Sequence, residues 1–281
     1  MRVHVPETGY QTVHANGVDF AYFEEGEGPL VLMFHGFPDT AHTWDGIRPR
    51  VAAAGYRVVT PFLSGYTPTS IPAGEPYDNE TLGQNVLALI TAFGEERAIL
   101  VGHDWGAGSV YSATAQDQSK VVKLVTAAIP HPATIKPALG KIWGVRHFFT
   151  LRMPGAVGRF AQDDYAGVDK LIARWSDKWD VPDGELESVK NAFAAPGCLN
   201  AALGYYRKLS PKPDAFMFNK IDVPTLAFCG ADDHLATVDD YERAGRMFTG
   251  GYRVETIGGG HFLHRESEDA FVEHLLDFLG S

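Results

Sequence analysis

The sequence has few cysteines and no long apolar run. Its 281 residues include only Cys198 and Cys229, at a spacing that fits neither a zinc site nor a disulfide framework, so we expect both thiols to be reduced and buried. No run of about eighteen apolar residues is present to cross a membrane. The first residues carry Glu7 and no apolar run, unlike a signal peptide. These absences predict a cytoplasmic protein that does not enter a membrane.

Basic residues are also scarce relative to acidic ones. Lysine and arginine total 24 against 35 aspartates and glutamates, which gives a formal net charge of -11. A negative field of this kind repels nucleic-acid phosphates and anionic lipid surfaces. We therefore expect a small neutral molecule as the partner, and neither a nucleic acid nor a membrane. The sequence leaves the oligomeric state open, and a homodimer is compatible with it.

Strand-like and helix-like segments alternate along most of the chain. The strand-like runs span 10–14, 18–24, 29–35, 57–61, 98–102, 122–129, 224–230 and 252–257. The helical patterns span 47–54, 80–93, 106–116, 239–248 and 269–279. Asn16-Gly17, between the first two runs, is a hairpin signal. The alternation predicts an α/β protein with a mostly parallel sheet flanked by helices and an antiparallel hairpin at its N-terminal edge.

One segment interrupts this alternation. Between residues 131 and 216 there is no good strand, only aromatic-rich, helix-like pieces separated by prolines. We interpret it as an inserted helical cap at 131–216 between two parts of one core, at 1–130 and 217–281. The cap leaves the sheet after one strand and returns at the next. It should therefore lie over the carboxyl ends of the strands, where open α/β sheets bind ligands.

The strongest motif is Gly-His-Asp-Trp-Gly at 102–106, between an apolar strand and a helix. It has the form of a nucleophile elbow, in which glycines permit a sharp turn that presents the central side chain, here Asp104. The alternative is an ordinary N-cap by an aspartate. A carboxylate with a reference pKa of about 3.9 is already ionised at neutral pH. Its attack on an acyl carbon would give a reactive anhydride, whereas attack on a saturated carbon gives an ordinary ester, so displacement at carbon is favoured.

Two further segments predict the partners of this nucleophile. His-Gly-Phe-Pro at 35–38 ends a strand in a tight turn, and the amides of Phe37 and Trp105 would form an oxyanion hole. A simple Gly-Pro turn is the alternative. His261 follows three glycines after the last strand and could deprotonate water. The alternatives are a solvated loop histidine or half of a metal site with His264, although no third ligand follows at a sensible spacing.

A carboxylate after another strand completes the set. Asp233 can hold the imidazole of His261 in the right tautomer, and Asp232 is the alternative, expected to cap the turn or face water. The chain order is nucleophile, acid, histidine, as in α/β-hydrolases.

With these motifs the chain resembles the epoxide hydrolase and haloalkane dehalogenase branch of the α/β-hydrolases over essentially its whole length. The resemblance implies that Asp104 is the nucleophile, His261 the base and Asp233 its acid partner. Haloalkane dehalogenases typically have asparagine where this chain has Phe37, which favours an epoxide hydrolase. No metal or cofactor is implied.

The resemblance also implies ring-opening donors in the cap. Tyr206 matches a cap tyrosine that precedes an arginine, and His147 occupies the position of a second cap tyrosine before a Pro-Gly pair. A packed cap aromatic is the alternative for either. Further substrate contacts are expected from His35, Trp105, Phe148 and Tyr205. The cap aromatics favour an apolar substrate but could equally be core residues; they include Trp143, Phe148, Phe149, Trp175 and Trp179.

The sequence therefore predicts an epoxide hydrolase that forms a hydroxyalkyl ester on Asp104 and a vicinal diol as product. A haloalkane or haloacid dehalogenase using the same aspartate is the alternative. A non-catalytic binding protein of the same fold is a third hypothesis, since fold alone does not imply activity.

Overall fold

The computed structural model describes residues 2–135, 146–210 and 212–281, called here the described chain. Its sheet has the strand order β1-β2-β4-β3-β5-β6-β7-β8. β1 and β2 form an antiparallel hairpin, β2 pairs antiparallel with β4, and the remaining neighbours are parallel. The strands are β1 Gln11–Ala15, β2 Val18–Glu25, β3 Leu30–Phe34, β4 Arg57–Pro61, β5 Ala98–His103, β6 Val121–Ala127, β7 Thr225–Gly230 and β8 Tyr252–Ile257. The predicted α/β class and N-terminal hairpin are confirmed.

Helices cover both faces of the sheet. They are α1 Arg48–Ala53, α2 Asn79–Ala92, α3 Trp105–Gln116, α4 His147–Thr150, α5 Ala156–Trp175, α6 Glu187–Ala194, α7 Cys198–Lys208, α8 Val238–Ala244, α9 Leu263–Glu266 and α10 Glu268–Gly280. The helix predicted over 239–248 is shorter, because α8 stops before Gly245 and a 3-10 turn, Gly245–Met247, follows. Glycine is a poor helix former, which accounts for the change. In the described chain no helix is both long and apolar enough to span a membrane.

The continuously apolar strands pack on both faces, and each face contributes to a different hydrophobic core. Along β3, Leu32 packs in the core beneath α2 and α3, whereas Val31 and Met33 pack in the core beneath α1 and α10. Successive side chains of a strand point to opposite faces, so a strand covered on both sides is apolar at every position. This double burial fixes the strand ends from which the site residues project.

The described part of the chain between β6 and β7 contributes helices α4 to α7. They contact the core through aromatic side chains: the Phe37 ring, just after β3, lies 5.5 Å from that of Phe160 and 5.7 Å from that of Phe193. These contacts set the helices over the end of β3. The division into segments 1–130, 131–216 and 217–281 stays a prediction.

α5 is interrupted in its middle. Gln162 has extended backbone angles, and Asp163, Asp164 and Tyr165 have φ values of 50°, 58° and 62° in the left-handed region. An L-residue rarely adopts this conformation. Asp164 is held by Arg2, whose Nε and Nη2 lie 2.9 and 2.6 Å from its carboxylate oxygens. The N-terminal segment is thus tied to the helices between β6 and β7.

Candidate active site

Asp104 lies at the junction of β5 and α3 with φ 51° and ψ -116°. Both flanking glycines are required by close backbone contacts: a Cβ on Gly102 would lie 2.4 Å from the Gly106 oxygen, and one on Gly106 would lie 2.2 Å from the Phe34 oxygen. The Asp104 side chain caps no amide of α3, so the N-cap alternative is wrong. The strained turn instead presents the carboxylate at the end of the sheet.

The turn after β3 contacts this carboxylate directly. The Phe37 amide donates a hydrogen bond of 2.8 Å to Asp104 Oδ1. A Cβ on Gly36 would lie 2.4 Å from the Asp104 Cβ, so only glycine permits this approach. Trp105 begins α3, and the first amides of a helix have no intrahelical acceptor. Of the two predicted oxyanion donors, the Phe37 amide therefore contacts Asp104, and the Trp105 amide is that of the next residue in the chain.

His261 lies between two carboxylates and is fully buried. Its Nε2 is 3.3 Å from Asp104 Oδ2, and its Nδ1 is 3.2 Å from Asp233 Oδ2. The other Asp233 oxygen accepts a hydrogen bond of 2.7 Å from the Leu235 amide. Asp232 forms a surface ion pair with Lys178. The structure thus brings Asp233, and not Asp232, to the imidazole.

The three groups carry complementary charges. Burial alone would lower the pKa of His261, but the charge of Asp233 and the hydrogen bonds to both carboxylates raise that pKa to about 10. Burial alone would raise the pKa of Asp104, but the hydrogen bond and charge of His261, with the Phe37 amide, lower it. The ionised carboxylate and the imidazolium therefore form an ion pair at neutral pH.

A second layer of histidines, which the sequence did not reveal as such, lies behind His261. His103 Nε2 donates a hydrogen bond of 2.8 Å to the His261 carbonyl oxygen. The His264 ring lies 4.3 Å from that of His103, and its Nε2 is 2.6 Å from Thr43 Oγ1. His264 therefore contacts the core rather than pairing with His261 around a metal. In the described residues no cluster of three or more metal-ligating side chains occurs.

Aromatic side chains of the inserted helices cover the carboxylate. Tyr206 is 1% exposed, and its hydroxyl accepts a hydrogen bond from the Trp105 indole. Burial, reinforced by the charge of Asp104, holds the pKa of Tyr206 well above its usual value, so it stays a proton donor. The His147 and Phe148 rings lie 5.8 and 5.7 Å from that of Tyr206. Trp175 was predicted only as a cap aromatic; its ring lies 5.1 Å from His261.

Two predicted substrate contacts have their polar atoms engaged elsewhere. The Tyr205 hydroxyl donates a 2.7 Å hydrogen bond to the Ser64 carbonyl, and its ring stacks on Tyr77. His35 accepts from the Leu63 amide at 3.0 Å through Nε2 and bonds the Gly36 carbonyl through Nδ1. Burial lowers the pKa of His35 to about 4, so it is neutral. The polar atoms of both side chains therefore brace loops, and the substrate contacts of these residues stay a prediction. Trp143 lies outside the described residues.

A family model described as alpha/beta hydrolase fold matches residues 29–268. The chain belongs to the α/β-hydrolase fold family and is a hydrolase enzyme.

Named relatives cover nearly the whole chain. Epoxide hydrolase A of Mycobacterium tuberculosis is 30% identical, with 95% of this chain and 96% of the relative covered. An epoxide hydrolase of Caballeronia sordidicola is 34% identical over 95% of this chain and 92% of its own. The crystal structure of Bacillus megaterium epoxide hydrolase with an inhibitor superposes with a TM-score of 0.87 at 21% identity, over 96% of this chain and 100% of that one. This last likeness concerns the fold.

Proposed function

We propose that the protein is an epoxide hydrolase that converts an epoxide, apolar around its reacting carbon, to a vicinal diol. One observation carries the proposal: a largely buried carboxylate, Asp104, contacts the Phe37 amide and the His261 imidazole, and its charge acts on the phenol of Tyr206. A nucleophile, a base and an acid within one enclosed site are the groups that epoxide opening requires. The names of the relatives that are 30% and 34% identical support the same activity.

In the proposed first step an Asp104 oxygen attacks the less hindered ring carbon. The carbon–oxygen bond of the ring breaks, and the ring oxygen keeps the electron pair. Because an alkoxide is too basic to leave unaided, it takes a proton from Tyr206, while His147 supplies a second hydrogen bond. The product is a hydroxyalkyl ester of Asp104.

In the proposed second step His261 activates water. Ester formation removes the negative charge from Asp104, and with it one of the interactions that raise the pKa of His261. The imidazole can then lose its proton and accept one from water, with Asp233 stabilising the new imidazolium. The hydroxide adds to the ester carbonyl, and the Phe37 and Trp105 amides stabilise the oxyanion. Collapse releases the diol, which takes its proton from His261. The Asp104 carboxylic acid left behind gives its proton to His261, which restores the ion pair, and Tyr206 regains from solvent the proton that the imidazolium released before water attack.

The groups around Asp104 favour an epoxide over a haloalkane. Phe37 is apolar and packs its ring 5.2 Å from that of Tyr206, so its side chain offers no donor to a leaving halide. The Trp105 indole donates a hydrogen bond to the Tyr206 oxygen, which leaves the phenol proton available for donation to a ring oxygen. Dehalogenation would need no such acid, because a halide leaves as a stable anion.

We propose that the protein acts in the cytoplasm on a small molecule, and a homodimer stays compatible with the sequence. Two free, buried cysteines support a reducing compartment, and the net charge of -11 argues against polyanionic partners.

The test is a single turnover in heavy-oxygen water with styrene oxide. The label should enter the Asp104 carboxylate and be absent from the first diol formed. In a His261→Gln variant the ester should accumulate, and intact-mass measurement should give protein plus the whole epoxide. Label found directly in the diol would exclude the ester. An adduct formed from a chloroalkane with loss of hydrogen chloride, and none from the epoxide, would identify a dehalogenase.

A further inference from the structure

Arg174, in the last turn of α5, is a half-buried cation with unpartnered donors. Its Nε and Nη2 are buried, and neither has a hydrogen-bond partner within the described chain. Other arginines of the inserted helices are engaged: Arg159 donates to the Pro154 carbonyl, and Arg207 to Glu75. A cation at a helix C-terminus is favoured by the helix dipole, but the dipole leaves these two N–H groups unsatisfied.

The position of Arg174 relates it to the reacting groups. Its neighbour Trp175 accepts a 2.9 Å hydrogen bond from the His261 amide, so the end of α5 is fixed beside the catalytic imidazole. The Arg174 guanidinium carbon lies 5.8 Å from the Trp175 ring centre. Its charge also acts on Tyr206, the proposed ring-opening acid. The unpartnered donors therefore belong to the inserted-helix side of the site.

The geometry of Nε and Nη2 of Arg174 indicates which kind of group they can bind. The N–H bonds of Nε and Nη2 run parallel along one edge of the planar guanidinium, a spacing that fits both oxygens of a carboxylate. Arg2 uses the same edge in this protein, with Nε and Nη2 on the two oxygens of Asp164. On Arg174 that edge is buried and has no partner among the described side chains.

The local charge also favours an anion. Burial lowers the pKa of Arg174, and the nearby positive charge of Arg146 lowers it further, against a smaller opposing effect of Tyr206. Two like charges lie close together in a chain whose net charge is -11. A negatively charged group bound here would offset this repulsion, whereas most of the protein repels anions.

We propose that Arg174 binds a carboxylate group of the substrate, so that the preferred substrates are epoxides that carry a carboxylate. This inference rests on the proposed epoxide hydrolase function and adds to it. The apolar part of the substrate would contact the aromatic side chains around Tyr206, and the carboxylate would pair with Nε and Nη2 of Arg174. Arg174 is then a specificity residue that takes no part in bond breaking.

The experiment compares acids with their primary amides, which have the same shape and no charge. The probes are phenylglycidate, para-carboxystyrene oxide and the epoxide of oleic acid, and each acid is compared with its own amide. These three acids are chosen because they differ in the distance from the epoxide to the carboxylate. We expect the wild type to favour at least one acid over its amide in kcat/KM. Arg174→Met should lower that acid-to-amide ratio roughly 10- to 100-fold, as expected for charged hydrogen bonds.

Two further variants separate the charge from its geometry. Arg174→Lys keeps a cation without the parallel N–H pair and should give an intermediate ratio. Arg159→Met removes the same charge from an exposed position of α5 and should leave the ratio as in the wild type. An acid-to-amide ratio that Arg174→Met leaves unchanged for all three pairs would overturn the proposal.

A second measurement separates this proposal from the proposed reaction. If neither acids nor amides give a diol, epoxide hydrolysis itself has failed. Calorimetric titration with hydrocinnamate, an unreactive carboxylate, then tests Arg174 alone. Binding that weakens at least tenfold in Arg174→Met, with Arg159→Met unchanged, supports the carboxylate site. Equal binding to the wild type and Arg174→Met, or none to either, refutes it.

Discussion

Asp104 and His261 form an ion pair, with Nε2 of the imidazole 3.3 Å from Oδ2 of the carboxylate. Asp104 thereby keeps its charge despite burial, since the imidazolium lowers its pKa. His261 is correspondingly held in its protonated form, until the proposed esterification removes the charge of Asp104. The two steps of the proposed reaction are therefore ordered by electrostatics, because the first creates the condition that the second requires.

This order predicts that His261 and Asp104 variants fail at different steps. His261→Gln should still form the ester, at a rate reduced no more than about tenfold, but its turnover should fall on the order of a thousandfold or more. Asp104→Asn should form no ester, because a neutral amide is a poor nucleophile. Rapid-mixing mass spectrometry of the intact protein measures both. Ester formation in Asp104→Asn would assign the nucleophile elsewhere.

The neighbouring aspartates provide a matched pair of variants. Asp233→Asn should slow ester hydrolysis roughly 10²- to 10⁴-fold, because the imidazolium loses its partner and the ring its fixed tautomer. Asp232→Asn removes only a surface ion pair with Lys178 and should change hydrolysis less than about twofold. Single-turnover decay of the isolated ester distinguishes them. Equal effects of the two variants would contradict the geometry at His261.

The adjacent tyrosines separate chemistry from stability. Tyr206→Phe should slow ester formation roughly 10²- to 10³-fold, because the ring oxygen loses its proton donor. Tyr205→Phe leaves the buried Ser64 carbonyl without its donor and should lower the free energy of unfolding by about 1–3 kcal/mol. Its rate of ester formation should stay within about threefold of the wild type. The measurements are burst kinetics and urea unfolding; a stability loss in Tyr206→Phe with unchanged burst rate would reverse the assignment.

Four buried histidines predict sensitivity to acid. Burial lowers the pKa of His35, His103 and His131 to about 4, and that of His264 well below its usual value. Each folded-state pKa lies below the unfolded value near 6.5, so the unfolded chain takes up more protons. The contribution of these four neutral histidines to the free energy of unfolding is fully present above pH 6.5 and is lost as the pH falls towards 4.

Near pH 5 the free energy of unfolding should therefore fall with decreasing pH, with a slope that corresponds to the uptake of roughly four protons by these histidines per molecule unfolded. Any contribution from carboxylates adds to this slope. Urea unfolding between pH 7 and pH 5 measures it. His131→Asn can keep the hydrogen bond that His131 accepts from the Ala133 amide and should reduce the slope by about one proton. A slope that this variant does not change would show that His131 is not buried as a neutral ring.

Much of the fold follows from local patterns in the sequence. The eight strand-like runs match β1 to β8 closely, because strands covered on both faces must be continuously apolar. The sequence predicts that Asp104, His261 and Asp233 lie together because each follows a strand end, and parallel strands end at one edge of the sheet.

The remaining features depend on contacts between distant segments. His35 and Tyr205 are predicted substrate contacts, and the sequence does not show that their hydrogen bonds go to Leu63 and Ser64 backbone groups, because no side-chain motif encodes such bonds. His103 was known only as a neighbour of the nucleophile, although its ring fixes the His261 carbonyl. The proximity of Trp175 to His261 likewise arises only when the inserted helices pack on the core.

That proximity gives the enzyme an optical signal of its own. A protonated imidazole quenches indole emission at short range, and the Trp175 ring lies 5.1 Å from an imidazole that is charged in the resting enzyme. In the proposed reaction esterification discharges the imidazole, so the emission should brighten while the intermediate exists and dim again on product release. The progress of each catalytic cycle can thus be followed by light, without a label or a chromogenic substrate.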